Sequence, residues 1–329
     1  MGVRRSAPGR LQADLQPILY AGAGPDFLRY AYSRFKLVEK EIRKNRPVRG
    51  GRVMPVEASD FLSKSALYLP REAQYEYLLN LPADIASAGL TNQGCHTMNS
   101  LGEVVINAME LVEAQSDQLV GVLPKDYTIF SDELLAELLR IFNNNALDDV
   151  GGDVIGRIYE YFLNKFAKNI AQDDGVFFTP KSLVKMIVNV LEPQGGVLLD
   201  PACGSGGMFV QTGDFVNAAG MEANSAMTFY GQEKVEYNAQ LCLMNMAVHG
   251  LNGLIKSGDE ANTFYHDAHN LDGCCDYVDG ESALQCGQGQ LGVRPERGPS
   301  ALWPALRQQG QGGGQRKLPL DLLFLLLSE

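Results

Sequence analysis

Apolar positions along this chain follow two rhythms, and the change between them divides it. From residue 26 to 142 the spacing is helical and lacks strand alternation. Residues 34–44 are charged and helix-prone, residues 46–51 form a Pro/Gly/Arg break, and Tyr68-Leu69-Pro70 and Leu81-Pro82 mark turns. Ser131 and Asp132 stand before the apolar run of residues 134–139, the signature of a helix start. Val154, Ile158, Phe162 and Phe166 then recur every four residues, with Ile155, Tyr159 and Leu163 widening the stripe, which predicts a core-facing helix. In Gly175-Val176-Phe177-Phe178-Thr179-Pro180-Lys181, Thr179 suits an N-cap and Pro180 a first helical position. The predicted helix continues with Leu183, Val184, Ile187, Val188 and Leu191 on one side.

Short apolar runs follow. Residues 196–199, 228–233, 254–259 and 275–278 read as four strands, with a helix over 235–249, and this alternation predicts a parallel sheet. From Asp279 the chain is rich in Gly, Gln, Pro and Arg and has no usable period until a terminal Leu run.

The densest chemistry lies after the first of these strands, in Asp200-Pro201-Ala202-Cys203-Gly204-Ser205-Gly206-Gly207-Met208-Phe209. A strand, a glycine turn and a helix form the nucleotide-binding corner of an α/β sheet, because glycine lets backbone approach a ligand and the helix start offers free N–H groups. An aspartate directly after the strand departs from the G-x-G-x-x-G opening of dinucleotide sites. It suits a cofactor with a cationic amino acid end, S-adenosylmethionine. Alone, the motif is equally the mark of any glycine-rich βα corner. Glu233, at the end of the next strand, is placed to accept both ribose hydroxyls, or is a plain surface carboxylate.

Bulk properties narrow the picture. A length of 329 residues allows about two domains. The net charge of −11 makes a poor stand-alone nucleic-acid binder, so a DNA substrate requires a partner subunit or a local basic patch. The six cysteines contain no C-x-x-C pair and the four histidines lack ligand spacing, so no metal site is expected; reduced thiols indicate a cytoplasmic protein. No signal peptide is expected, and the run of residues 322–327 is too short to span a bilayer.

Four ordered motifs resemble the modification subunit of type I restriction–modification systems, an N6-adenine DNA methyltransferase. They are residues 175–181, residues 200–209, Gly231-Gln232-Glu233-Lys234, and Met244-Asn245-Met246-Ala247-Val248-His249-Gly250-Leu251. Phe27-Leu28-Arg29-Tyr30-Ala31, Tyr77-Leu78-Leu79-Asn80-Leu81-Pro82 and Gly121-Val122-Leu123-Pro124-Lys125 are similar to that family's helical domain. The resemblance implies an α/β chain: a helical domain over 26–150, then the N-terminal part of a Rossmann-like methyltransferase sheet over 151–278. It implies S-adenosylmethionine as cofactor, contacted by Phe177, Phe178, Thr179, Pro180, Lys181, Gly204, Ser205, Gly206 and Gly207. Asp200 would lie near the amino acid end, Glu233 on the ribose and Asp259 near the adenine edge. The implied partners are specificity and restriction subunits, with double-stranded DNA held through the complex and no membrane.

The family places an Asn-Pro-Pro-Phe loop after the fourth strand, where Asn and a Pro carbonyl hold the target amino group and Phe stacks on the flipped base. Here Asp279-Gly280-Glu281-Ser282 stands instead, so no catalytic residue is assigned. Residues 279–287 can be encoded so that reading one base later yields Met-Ala-Asn-Pro-Pro-Phe-Asn-Val, the absent loop. Residues 315–322, read the same way, can yield Asn-Ala-Asn-Tyr-Leu-Trp-Ile. Two long ordered matches in one frame point to a one-base frameshift at about Val278–Asp279, with 279–329 an unstructured tail. A shorter match, Met-Pro-Val-Leu-Gly-Leu-Ile for residues 20–26, makes 1–25 a candidate out-of-frame leader. The expected product is an inactive, aggregation-prone methyltransferase with an open sheet edge. The alternatives are a non-enzymatic remnant that binds the cofactor or partner subunits, and a methyltransferase of another substrate such as protein glutamine.

Overall fold

A computed structural model describes residues 8–46, 48–49, 52–62, 64–143, 159, 161, 179–263, 265–271 and 273–279. These fall into two compact units, one within 1–174 and 243–250, the other within 175–242 and 251–329.

The first unit is helical. It contains α1 (Pro8–Lys44), α2 (Ala58–Leu62), α3 (Tyr75–Leu79), α4 (Leu101–Glu113) and α5 (Asp132–Phe142). Helix α4 starts on a capping arrangement: Ser100 accepts from the Glu103 N–H, and Glu103 accepts from the Asn99 N–H at 2.6 Å. It then buries Val104, Val105, Ala108, Met109 and Val112. Helix α5 starts as expected at Ser131, whose hydroxyl accepts from the Leu134 N–H, and it buries Leu135 and Leu139. Asp132 reaches back to the Leu101 N–H at 2.9 Å and joins the two helix starts.

The break near residues 46–51 differs from expectation. It carries two short strands, β1 (Val48–Arg49) and β2 (Arg52–Val53), paired antiparallel. Two-residue strands leave no alternation for a sequence pattern to reveal. Of the stripe expected over 154–166, only Tyr159 has a described side chain; it is buried against Phe27 and Tyr30, and the rest lies outside the described residues.

The second unit is built on α6 (Lys181–Leu191), β3 (Gly196–Asp200), α7 (Gly207–Ala218), α8 (Ala223–Ala226), β4 (Met227–Glu233), β5 (Gly253–Ser257) and β6 (Tyr277–Val278). Helix α9 (Glu236–Val248) runs between β4 and β5 in the chain. The strands are parallel in the order β5-β4-β3-β6. The first strand of the unit thus lies between the second and the fourth, which is the reversal point of a doubly wound sheet. Leu198 and Leu199 are both buried, as a strand covered on two faces requires. Phe209 of α7 packs edge-on against Phe229 of β4 at 5.7 Å. Val184 and Ile187 of α6 pack with Met208 of α7, while Leu183 and Leu191 flank them, so the predicted apolar side of this helix is the buried one.

Two boundaries are corrected. Pro180, not Thr179, is the N-cap of α6, and Lys181 is its first residue. Pro180 has an extended ψ of 135°, so the helix starts one residue later than the polar-cap rule places it. The third strand of the unit stops at Ser257, and Asp259 opens a 3-10 turn (Asp259–Ala261) after the positive φ of Gly258.

Candidate functional site

At the reversal point, the carboxyl ends of β3 and β6 bring two acids together. Asp279 follows β6 and donates its N–H to Leu199 O at 3.0 Å, which sets it beside Asp200, the last residue of β3. Asp200 is 1% exposed and its Oδ1 accepts from the Ala202 N–H at 3.0 Å. Burial pushes its carboxyl up to about 7; the Ala202 bond opposes this and the Glu233 carboxylate adds to it. Burial also holds Asp279 well above the carboxylate range, and Asp200 adds to this.

The glycine turn is shaped by its backbone. Gly204 and Gly206 have φ of 51° and 79°, the left-handed region that glycine tolerates. A Cβ at Gly206 would meet Cys242 Sγ at 2.7 Å, so the inner side of the turn is packed. A Cβ at Gly204 or Gly207 would meet nothing within 4 Å, so the outer side is open at the start of α7. Glu233 bridges this turn to β4. Its Oε2 accepts from the Gly204 N–H at 3.0 Å and its Oε1 from the Val235 N–H at 2.8 Å. The Lys234 N–H and the Asn238 side chain also bond to this carboxylate. Burial raises its pKa, and its hydrogen bonds act in the opposite direction.

Among the predicted site residues, Asp200, Gly204, Ser205, Gly206, Gly207 and Glu233 thus gather on one edge of the sheet. Thr179, Pro180 and Lys181 stand at the N-terminus of α6, which packs on α7. Asp259 lies two residues beyond Ser257, the register partner of Glu233. Phe177 and Phe178 lie outside the described residues. Two residues at this edge escaped the sequence reading. Asp279 looked like the start of a noise tail. Gln232 stood inside the Gly231-Gln232-Glu233 motif, where a buried polar residue in a strand was the available signal.

Buried acids set the pH response. A raised folded-state pKa stabilises the fold below the unfolded value near 4, and that contribution is lost as pH rises through the folded value, about 7 for Asp200. Asp26, Glu233 and Asp279 shift in the same direction. For Asp200 alone the change is on the order of 4 kcal/mol, at about 1.4 kcal/mol per pH unit. Thermal melts are therefore expected to give a higher Tm at pH 5 than at pH 8. An equal or higher Tm at pH 8 overturns this reading.

Residues 150–281 match the N-6 DNA Methylase family. That segment belongs to the N-6 DNA methylase family. It is 32% identical over 284 residues to the type I restriction enzyme MjaIX methylase subunit of Methanocaldococcus jannaschii, an alignment covering 82% of this chain and 48% of that one. It is 32% identical over 199 residues to the HindI methylase subunit of Haemophilus influenzae, covering 56% of this chain and 43% of that one. The chain spans less than half the length of these methylase subunits. In fold it is similar to the type I restriction-modification system methyltransferase subunit from Streptococcus thermophilus, with a TM-score of 0.53 at 16% identity, covering 82% of this chain and 61% of that one. The N-6 DNA methylase match ends three residues past Val278. Among the described residues, no helix is long and apolar enough to cross a membrane, and no cluster of three or more His, Cys, Asp or Glu could hold a metal ion.

Proposed function

We propose that this chain binds S-adenosylmethionine at the reversal point of its sheet, as the donor-binding part of a type I methylase subunit that modifies adenine N6 in DNA. The observation that carries the reading is the Glu233–Gly204 bond. It ties a diol-accepting carboxylate to a glycine turn whose outer side is open and whose first residue is a buried acid. The donor set fits the cofactor. Glu233 offers carboxylate oxygens to a diol, Asp200 offers a carboxylate to an ammonium, and the start of α7 offers N–H groups to a carboxylate. When bound, the group supplies an electrophilic methyl.

The chain's own residues orient the donor and stop there. No Asn-Pro-Pro-Phe loop follows β6 to hold an adenine amino group, so the chain binds without turnover. Specificity and restriction subunits, and duplex DNA through them, are the partners of this reading, with the helical unit as the docking part. The family match ending at residue 281 supports the proposed frame change near Val278–Asp279.

Calorimetric titration tests the binding claim. Saturable binding of S-adenosylmethionine is expected, with Glu233→Ala weakening it roughly tenfold or more. A folded wild-type chain that gives no heat overturns it. A methyl-transfer assay on adenine-containing duplex, with the specificity subunit present, is expected to show no product; turnover overturns the lost-loop claim.

A further inference from the structure

Gln232 precedes Glu233 in β4 and is fully buried. Its side chain crosses to the segment after β5. Nε2 faces Ala261 O at 3.3 Å, Thr263 Oγ1 at 3.2 Å and His266 O at 3.1 Å, and Oε1 accepts from the Ala268 N–H at 3.1 Å. Two of these partners are carbonyls that only accept, and one is an N–H that only donates, so the amide has a single satisfactory orientation. Thr263 in turn donates its hydroxyl to Pro201 O, in the turn that follows Asp200. His269 closes the same segment, with Nε2 at 2.8 Å from Gly231 O and its ring edge-on to Tyr230 at 5.0 Å. The Gly231 carbonyl only accepts, so Nε2 is the donor in this contact.

These bonds form a relay from the donor turn through Thr263 to Gln232. Ala261, held by Gln232, is the last residue of the 3-10 turn that Asp259 begins. Neighbouring residues of one strand therefore hold two sides of the proposed donor site: Glu233 the glycine turn, Gln232 the segment that carries Asp259. An ordinary buried core position needs none of this. A leucine there would fill the space and leave three acceptors and one donor to find other partners.

We propose that Gln232 is a positioning residue for the nucleoside half of the methyl donor, acting by locking residues 261–263 and 265–268 against β4 and, through Thr263, against the Asp200-Pro201 turn. The proposal rests on the donor-binding reading above. It goes beyond it by assigning the nucleoside side of the pocket to a residue that touches no ligand.

Three variants test it. Gln232→Glu keeps the acceptor for Ala268 and turns the donor end into an acceptor facing acceptors. Thr263→Val cuts the relay without burying a charge, and Thr263→Ser keeps the hydroxyl. Amide hydrogen exchange of Tyr265, His266 and Ala268 is measured with no ligand. Calorimetry is then run with S-adenosylmethionine and with 5′-methylthioadenosine, which carries only the nucleoside half. Gln232→Glu and Thr263→Val are expected to speed exchange in this segment and to weaken both ligands by the same factor, roughly tenfold. Thr263→Ser is expected to restore wild-type values. Wild-type exchange in both disruptive variants overturns the lock. Faster exchange with unchanged affinity for both ligands, or weakening confined to S-adenosylmethionine, overturns the positioning role. If the wild-type chain binds neither ligand, the donor-binding reading and the positioning role fall together, while the exchange data still decide the lock.

Discussion

Asp279→Met raises the stability of the chain by roughly 2–4 kcal/mol at pH 8, where most substitutions at a buried position lower it. Asp279 is 2% exposed beside Asp200. Its own N–H and the Thr212 hydroxyl ease the charge only in part, and neither carboxylate oxygen has a partner at hydrogen-bonding geometry. Keeping the acid there costs either an unpaired charge or an unmet proton above its normal range. Methionine is the residue that the one-base-later reading places at this position, and its flexible stem adapts to irregular space. Asp279→Ala separates loss of charge from gain of packing, since it adds no volume. Urea unfolding at pH 8 and pH 5 checks the claim: the gain is expected to be larger at pH 8, and the pH dependence of the variant to be weaker. If neither variant gains stability at pH 8, the buried-charge account is wrong.

Asp26→Ile is expected to raise stability by roughly 1–3 kcal/mol at neutral pH for the same physical reason. Asp26 is 1% exposed in α1, and both carboxylate oxygens lack a hydrogen-bond partner. Burial raises its pKa well above the usual range, and its charge helps raise that of Tyr30 one turn away. Isoleucine is what the shifted reading of residues 20–26 places there. Gly24 is the residue that both readings share, and a Cβ at Gly24 would overlap the Tyr127 hydroxyl. At each end of the clear family resemblance thus stands a buried aspartate whose carboxylate oxygens have no partner at hydrogen-bonding geometry among the described residues. Urea midpoints for Asp26→Ile and for Asp26→Asn distinguish a generic loss of charge from a fit to an apolar side chain. A lower midpoint for both variants defeats the frame reading at this end. DNA sequence across codons 20–26 and 276–282 provides an independent check on both ends.

The strands and the glycine turn were legible because their signals are local: apolar runs of strand length, glycines where φ is positive, and acids at strand ends. Helix α5 was legible at Ser131 for the same reason. What was hidden depended on distant partners. Gln232 has no period or motif of its own that distinguishes a clamp from a surface amide; only the segment 29–36 residues later gives it a role. Asp259 looked like a strand end because a sequence pattern cannot show that Gly258 has already turned the chain. Thr179 outranked Pro180 as a cap on side-chain chemistry, but Pro180 keeps an extended ψ of 135° and the helix starts after it. The order of the four strands was not visible in the alternation that predicted them, and that order is what sets Asp279 beside Asp200.

The pairing of β6 with β3 governs the timing of assembly. The Val197 N–H donates to Asp276 Oδ2 at 2.8 Å, across 79 positions of sequence, and β6 pairs with β3 beyond it. Strands β3, β4 and β5 can pair with one another as soon as residue 257 is available, but the second side of β3 stays bare until residues 276–279 arrive. Closure over so long a loop is slow compared with local pairing, and a chain emerging from the ribosome exposes that side meanwhile. A chaperone that shields an unpaired parallel strand would therefore engage this chain at β3, after β5 has formed and before β6 has docked.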